Sequence, residues 1–244
     1  MRRPSGFEAV LLAAGASERM GRPKALIEWG GLPLVAFQAR EFLSTRIDRL
    51  VLVLGARAGE VEEALRAALA DYPGPAGEER LAVVVNRDWK LGKCGSIRIG
   101  AGALSAGARH IVLHSVDQPA AGEALEAIFG FHLALGGLAT VPVVRGKKGH
   151  PVVLASCLRD RLSHLSEEEL GLKGLVRSVE LEGSLRFAPV AAPCVAWDIN
   201  RPEDLAALKR VARREEGLRP AQAKLYDVGS SIPDHSNRFG GVFH

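Results

Sequence analysis

A glycine-containing segment between Val10 and Lys24 carries the first residues that could do chemistry. It reads VLLAAGASERMGRPK, so a short apolar run ends in small residues and leads into a turn with the basic side chains Arg19, Arg22 and Lys24. Backbone N–H groups can approach phosphates only where side chains are small, and basic side chains neutralise the phosphate charge. The segment therefore indicates a binding site for a nucleoside triphosphate.

Two common phosphate-binding motifs are absent from this segment. It contains no G-x-x-x-x-G-K-[ST] loop, and no G-x-G-x-x-G follows the apolar run. Taken alone, the segment is also consistent with a glycine-rich turn whose charges are solvated. If a triphosphate binds here, Arg19 can contact its oxygens through a planar fork and Lys24 as a point charge.

Two further polar residues directly follow apolar runs. Asn86 follows the run LAVVV, and Asp117 follows the run HIVLHSV. A carboxylate beside a triphosphate is a good ligand for Mg²⁺, which takes one or two carboxylates together with phosphates and water. Taken alone, Asn86 is equally well explained as a turn former. For Asp117, the alternative to a metal ligand is a cap of the next turn.

The alternation of short apolar runs with helical patterns predicts the elements that must position these residues. Strands are predicted at 7–13, 49–54, 81–85, 110–116, 138–144 and 151–154, and helices at 33–43, 60–69, 96–104, 121–135 and 202–214. This order predicts an α/β fold, a three-layer α/β/α sandwich around a mostly parallel sheet. Ligands of such folds bind at the carboxyl ends of the strands, where Ala13, Asn86 and Asp117 are expected to converge.

Composition narrows the class of protein. The chain has 244 residues, a net charge of +4 and 5% aromatic residues, which fits an anionic ligand but not a base-stacking platform for nucleic acid. Its three cysteines lie far apart, which argues against a zinc ribbon or a disulfide framework and suits a reducing cytoplasm. With no long apolar stretch and no visible signal peptide, the sequence predicts a cytoplasmic protein without a membrane partner.

The sequence becomes polar and rich in Gly and Pro after the last predicted helix. We therefore predict one domain over residues 1–214 and a C-terminal tail over 215–244. The alternative interpretation of the tail is an arm that docks on a neighbouring subunit.

The pattern L-A-A-G-x-S-x-R-M-G-x-P-K closely resembles the signature of the MobA-like nucleotidyltransferases, a family that includes molybdenum cofactor cytidylyl- and guanylyltransferases. The resemblance extends over about residues 8–210. It implies a Rossmann-like, GT-A-like fold and a Mg²⁺-dependent transfer of a nucleoside monophosphate to a phosphate acceptor, with release of pyrophosphate. The residues that it implies for nucleotide binding are Leu12, Ala13, Ala14, Gly15, Arg19, Lys24, Asn86 and Ser96.

Two later segments resemble the family's metal-binding motifs. The sequence SVDQP is similar to the family's G-D-x-P, which implies that Asp117 binds Mg²⁺ and is catalytic together with Arg19 and Lys24. The sequence DINRPEDL resembles the family's D-I-D-T-P-E-D-L, which implies that Asp198 is a second metal carboxylate facing Asp117. Asn200 departs from that pattern, because relatives carry Asp there.

The acceptor side is matched by shorter motifs. His150 stands in a G-H-P turn like that of the family, and the resemblance implies that it shapes the acceptor pocket. Lys173 falls on the basic position of a family helix, although the Gly-Asp pair that usually precedes that helix is missing. The departures from the family pattern cluster on this side.

The residue Ala14 bears on the choice of nucleotide. Leu-Ala-Ala-Gly resembles the cytidylyl type, whereas the guanylyl type usually has Leu-Ala-Gly-Gly, and a methyl group at Ala14 would crowd a purine. CTP is therefore favoured, with a molybdopterin cofactor as acceptor and a molybdoenzyme that receives the product as partner. The alternatives are GTP, a sugar or alditol phosphate acceptor, or a non-catalytic nucleotide-binding accessory protein.

Overall fold

Helices and strands alternate along the protein. The computed structural model describes residues 5–70 and 80–217. The strands there are β1 (Phe7–Ala13), β2 (Glu28–Trp29), β3 (Leu32–Pro33), β4 (Arg49–Leu54), β5 (Leu81–Val85), β6 (His110–Ser115), β7 (Ala139–Val144), β8 (Lys147–Lys148), β9 (Val152–Ala155) and β10 (Leu185–Pro189). The α-helices are α1 (Leu34–Leu43), α2 (Ala58–Leu69), α3 (Lys93–Gly102), α4 (Gly122–Leu135), α5 (Arg159–Ser163), α6 (Gly171–Leu181) and α7 (Pro202–Gly217).

The main sheet has the strand order β10-β7-β9-β6-β1-β4-β5, and the short β8 pairs with β7. β1 lies at its centre and runs parallel to both neighbours, with Leu12 opposite Val53 of β4 and Ser115 of β6. β9 is antiparallel to β6 and to β7. The carboxyl ends of β1, β4 and β6 therefore meet at one edge, as the predicted mostly parallel sheet requires.

Two hydrophobic clusters cover the two faces of this sheet. Ala9 and Leu11 of β1 pack in one cluster with residues of α1, α2 and α4. The alternate residues Val10 and Leu12 pack in the other cluster with residues of α3 and α6. Every residue of β1 is consequently buried, which explains the apolar run from Ala9 to Ala13. The one charged residue of the strand, Glu8, is also buried, and its carboxylate accepts hydrogen bonds from the backbone N–H and the hydroxyl of Ser105. The three-layer α/β/α sandwich predicted from the sequence is confirmed.

Helix boundaries differ from the sequence-based ones where distant residues contribute. α3 begins at Lys93 rather than at residue 96, because the Glu167 carboxylate accepts a 2.7 Å hydrogen bond from the backbone N–H of Cys94 in its first turn. α7 continues to Gly217, beyond the predicted end at residue 214. The rest of the predicted tail lies outside the described residues. No helix in the described ranges is long and apolar enough to cross a membrane.

Candidate functional site

A cleft of about 630 Å³ opens where β1 and β6 end. It collects most of the residues predicted to bind the nucleotide, together with the predicted metal ligand Asp117. Those that line it are Leu12, Ala13, Ala14, Gly15, Arg19, Lys24 and Ser96. The cleft thus joins the signature segment after β1 to the segments that follow β5 and β6.

The signature segment is closed by its own hydrogen bonds. Ser17 has a φ of 59°, and its hydroxyl accepts a 3.0 Å hydrogen bond from the backbone N–H of Lys24. The carbonyl of Ser17 also accepts a hydrogen bond from the N–H of Met20. These contacts fold the segment into a compact turn, which directs Lys24 into the cleft and leaves Arg19 at its exposed rim.

Lys24 joins two segments that are distant in the sequence. Its Nζ lies 2.8 Å from Asp117 Oδ2 and 2.9 Å from Asn200 Oδ1. The side chains of Lys24 and Asp117 are only 13% and 25% exposed, so their charges are screened less than those of a surface pair. Asn200 is thus a site residue that we did not predict, and its departure from the family pattern was the available signal.

The two predicted metal carboxylates lie on adjoining segments, but only Asp117 is among the residues that line the cleft, and Asp198 is exposed beside it. The backbone N–H of Ile199 donates a 2.9 Å hydrogen bond to the carbonyl of Asp117, and Gln118 Nε2 lies 3.3 Å from Asp198 Oδ1. Partial desolvation, followed by the nearby charge of Asp117, raises the pKa of Asp198. A cation held between the two carboxylates would remove this mutual penalty.

This donor set fits a hard divalent cation. Asp117 and Asp198 offer carboxylate oxygens, which Mg²⁺ prefers. Among the described residues, no group of three or more His, Cys, Asp or Glu side chains is arranged to hold a metal ion. The protein would therefore supply two carboxylates, and phosphates and water would complete the coordination, as is usual for Mg²⁺ at triphosphate sites.

Asn86 supports the wall of the cleft instead of lining it. It is buried, and its Nδ2 donates a 2.9 Å hydrogen bond to the hydroxyl of Ser96, which does line the cleft. Its Oδ1 accepts a hydrogen bond from the N–H of Asp88 and so fixes the turn before Trp89. Asn86 thus orients the residues on this wall of the cleft.

A glycine permits the close packing of this wall against the signature segment. A Cβ atom at Gly55 would lie 2.5 Å from the carbonyl oxygen of Ala14 and 2.7 Å from Cβ of Trp89. Only glycine fits between them. Gly55 was not predicted as a site residue, although it directly follows strand β4.

Lys93 is a further cation of the cleft that the sequence analysis missed. Its Nζ donates a 2.6 Å hydrogen bond to the hydroxyl of Ser115, the last residue of β6. The predicted helix began at residue 96 and so left Lys93 outside it, whereas α3 begins at Lys93.

The two residues predicted on the acceptor side, His150 and Lys173, differ in their exposure, because His150 is partly buried and Lys173 is exposed. The backbone N–H of His150 donates a 2.8 Å hydrogen bond to the carbonyl of Val195, and Gly149 leaves no room for a side chain against the same carbonyl. Burial, followed by the charge of Lys93, lowers the pKa of His150 to about 4, so its imidazole is neutral near pH 7. Lys173 is exposed on α6, and neither His150 nor Lys173 is among the residues that line the cleft.

Comparison with known proteins identifies the family of the chain. The MobA-like NTP transferase domain matches residues 9–183, which is most of the chain. Nicotine blue oxidoreductase from Paenarthrobacter nicotinovorans is 32% identical over 175 residues, which cover 69% of this chain and 80% of that protein.

Solved structures share the fold over most of the chain. Rv0371c from Mycobacterium tuberculosis H37Rv is 26% identical, with a TM-score of 0.67 over 84% of this chain and 97% of that chain. A complex of Rv0371c with manganese is 25% identical, with a TM-score of 0.64 over 83% and 97% of the two chains. A nucleotidyl transferase from Methanothermobacter thermautotroptrophicus is 24% identical, with a TM-score of 0.67 over 86% and 98%. On these matches, the chain belongs to the MobA-like NTP transferase family.

Proposed function

We propose that the protein is a Mg²⁺-dependent nucleotidyltransferase that moves CMP from CTP to a phosphate acceptor, the molybdopterin cofactor, and releases pyrophosphate. The observation that carries this proposal is the position of Lys24, whose Nζ lies 2.8 Å from Asp117 in a cleft also lined by Arg19. Phosphate-binding cations and a metal-binding carboxylate thus share one site. The presence of triphosphates in the cytoplasm agrees with the predicted location.

The reaction needs positioning and charge neutralisation more than covalent chemistry from the protein. An oxygen of the acceptor phosphate attacks the α-phosphorus in line, and the bond from the α-phosphorus to pyrophosphate breaks. Arg19 and Lys24 bind the triphosphate oxygens and orient them. Asp117 and Asp198 would hold Mg²⁺, which would supply positive charge at the α-phosphate.

The surroundings of Ala14 support a pyrimidine. Ala14 packs against Gly55 and near Trp89, and its carbonyl accepts a 2.9 Å hydrogen bond from Ala56. Its backbone is therefore fixed, and its methyl group reduces the space available for a larger base. GTP in place of CTP, or a sugar or alditol phosphate as acceptor, are variants of the same chemistry.

An oxidoreductase activity is the second candidate, because a relative at 32% identity is named nicotine blue oxidoreductase. The chain's own thiol beside the cleft is poorly suited to that chemistry. Burial, followed by a hydrogen bond with Glu167, raises the pKa of Cys94 to about 11. A redox reaction in this cleft would therefore depend on a bound reductant.

The decisive experiment measures pyrophosphate release by the purified full chain. CTP, GTP and ATP are each offered with and without Mg²⁺, and with and without molybdopterin or a panel of sugar and alditol phosphates. We expect release from CTP that requires both Mg²⁺ and molybdopterin. A parallel reaction follows oxidation of NADH or NADPH with a quinonoid dye as electron acceptor.

Each outcome separates the candidates. Release from GTP, or with another acceptor, corrects the substrate and keeps the chemistry. Oxidation of a nicotinamide nucleotide without pyrophosphate release favours the oxidoreductase. Nucleotide binding without either reaction identifies an accessory protein and overturns the enzymatic proposal.

A further inference from the structure

The ammonium group of Lys93 enters the cleft from the face of the sheet opposite to that of Lys24. α3, which begins at Lys93, packs through Ile97 in the hydrophobic cluster of one face. Ala25, the residue after Lys24, packs in the cluster of the other face. The two lysines therefore approach the end of β6 from opposite sides.

The two lysines differ in their partners. Lys24 Nζ contacts both Asp117 and Asn200, whereas Lys93 Nζ contacts the neutral hydroxyl of Ser115 at 2.6 Å. Among the side chains that the structure describes, which do not include those of Glu18 and of residues 213–217, no carboxylate forms an ion pair with Lys93. Its charge is thus available to an anion in the cleft, because a hydroxyl is readily exchanged for a phosphate oxygen.

Lys93 also lies close to the predicted acceptor side. Its charge contributes to the lowered pKa of His150, and to that of His114, whose pKa falls to about 3 mainly because of burial. Both imidazoles are therefore neutral near pH 7. Neither histidine therefore adds a positive charge to that of Lys93.

We propose that Lys93 binds the phosphate of the acceptor, on the side of the cleft away from Arg19 and Lys24, and that the acceptor is therefore a phosphate monoester. This inference rests on the proposed nucleotidyl transfer and names the residue that selects the acceptor. The ammonium donates hydrogen bonds to non-bridging oxygens of the acceptor phosphate and exchanges no proton. A third oxygen of that phosphate forms the new bond to the α-phosphorus, and the electron pair of the broken bond leaves with pyrophosphate.

The first test measures binding and needs no turnover. Inorganic phosphate is titrated into the full chain that has been saturated with Mg²⁺ and a non-hydrolysable CTP analogue, and binding is followed by calorimetry. We expect Lys93→Gln to weaken phosphate binding at least tenfold, and Lys93→Arg to restore most of it. The control Lys147→Gln removes an exposed charge on β8 and should leave the affinity unchanged.

The second test separates the acceptor from the nucleotide. For Lys93→Gln we expect the KM of molybdopterin to rise at least tenfold, while the dissociation constant of the CTP analogue changes less than threefold. A residue that merely supported the fold would affect both ligands or neither.

The inference fails if phosphate does not bind the wild-type protein, if Lys93→Gln binds it as well as the wild type does, or if the variant loses nucleotide affinity to the same extent. Phosphate binding that depends on Lys93, in a protein without pyrophosphate release, would keep this site and overturn the proposed function. The two proposals can therefore fail separately.

Discussion

The backbone N–H of Ile199 donates a 2.9 Å hydrogen bond to the carbonyl of Asp117 and so holds two distant segments side by side. Asp117 follows β6, whereas Ile199 lies just before α7. Because this bond joins backbone atoms, it survives substitution of either neighbouring carboxylate. The carboxylates of Asp117 and Asp198 can therefore be removed one at a time without separating the segments that carry them.

We expect Asp117→Asn to abolish turnover by at least about a thousandfold, because the variant loses a metal ligand and the partner of Lys24. Pyrophosphate release at saturating CTP and Mg²⁺ measures the effect. The fold should survive, since Asp117 is partly exposed and its backbone contacts remain.

Asp160→Asn, at an exposed site on α5, is the matched control. Turnover within a few fold of wild type would remove Asp117 from the metal site.

Asp198→Asn should change the pH dependence of Mg²⁺ binding. Metal binding needs the ionised carboxylate, and the pKa of Asp198 is raised by desolvation and by Asp117. Affinity of the wild-type protein should therefore begin to fall at a higher pH than for an ordinary aspartate as the solution is acidified. Calorimetric titration of Mg²⁺ across the acidic range should show weaker binding and a smaller pH dependence in the variant.

Asp198→Asn should weaken Mg²⁺ binding, but it should not lower the free energy of unfolding of the metal-free protein. A carboxyl whose folded-state pKa is raised contributes stability at low pH and loses it as pH rises through the folded value. Without metal at neutral pH, Asp198→Asn should thus be no less stable than wild type, with a gain below about 1 kcal/mol because the site is solvent-screened. Thermal unfolding in a metal chelator checks this. A clear loss of stability would contradict the assigned environment of Asp198.

Glu167→Gln should destabilise the start of α3. The carboxylate accepts a 2.7 Å hydrogen bond from the N–H of Cys94, and this bond is the main cause of the lowered pKa of Glu167. We expect a loss of about 1 kcal/mol in the free energy of unfolding, typical of a helix cap. The loss should be present at pH values above the pKa that Glu167 has in the unfolded chain, and should disappear as pH falls through its lower pKa in the folded protein.

Urea unfolding at neutral pH and at a pH below the folded-state pKa measures the loss, with Glu168→Gln as the control. Equal effects of the two substitutions would refute the capping role.

Ala14→Gly should relax the choice of nucleotide. Removing the methyl group enlarges the space beside Gly55 and Trp89, and a difference of one methyl or methylene in a pocket is worth roughly 1–3 kcal/mol. The ratio of kcat/KM for GTP over that for CTP should therefore rise about tenfold or more. Ala16→Gly adds the same backbone freedom elsewhere in the cleft and should leave the ratio unchanged. An unaltered ratio in Ala14→Gly would show that another residue selects the base.

The sheet was largely predictable from the sequence because its strands are buried on both faces. Phe7–Ala13 and Arg49–Leu54 have the predicted ends, since each contains a continuous apolar run, over residues 9–13 in the first strand and 50–54 in the second. The antiparallel direction of β9 was not predictable, because it depends on pairing with β6 and β7, which lie elsewhere in the chain. The early start of α3 escaped prediction for the same reason, as its cap comes from Glu167.

Site residues that belong to a local motif were predictable from the sequence, whereas those that depend on distant residues were not. The signature after β1 is a local motif, and Arg19 and Lys24 are among the residues that line the cleft. Lys93 and Asn200 were missed because their roles depend on Ser115 and Lys24, which reach them only in the folded protein. Whether each residue acts as expected stays a prediction for the experiments above.

The contacts of Lys24 have an energetic consequence for ligand capture. Asp117 and Asn200 hold its ammonium group through hydrogen bonds that form when the chain folds. The rotamer entropy of a long lysine side chain, on the order of 1–2 kcal/mol, is therefore lost during folding and not during binding. A triphosphate that binds in the cleft would contact a cation that is already positioned. Less of the binding free energy would then be lost to ordering Lys24, and more could stabilise the transition state.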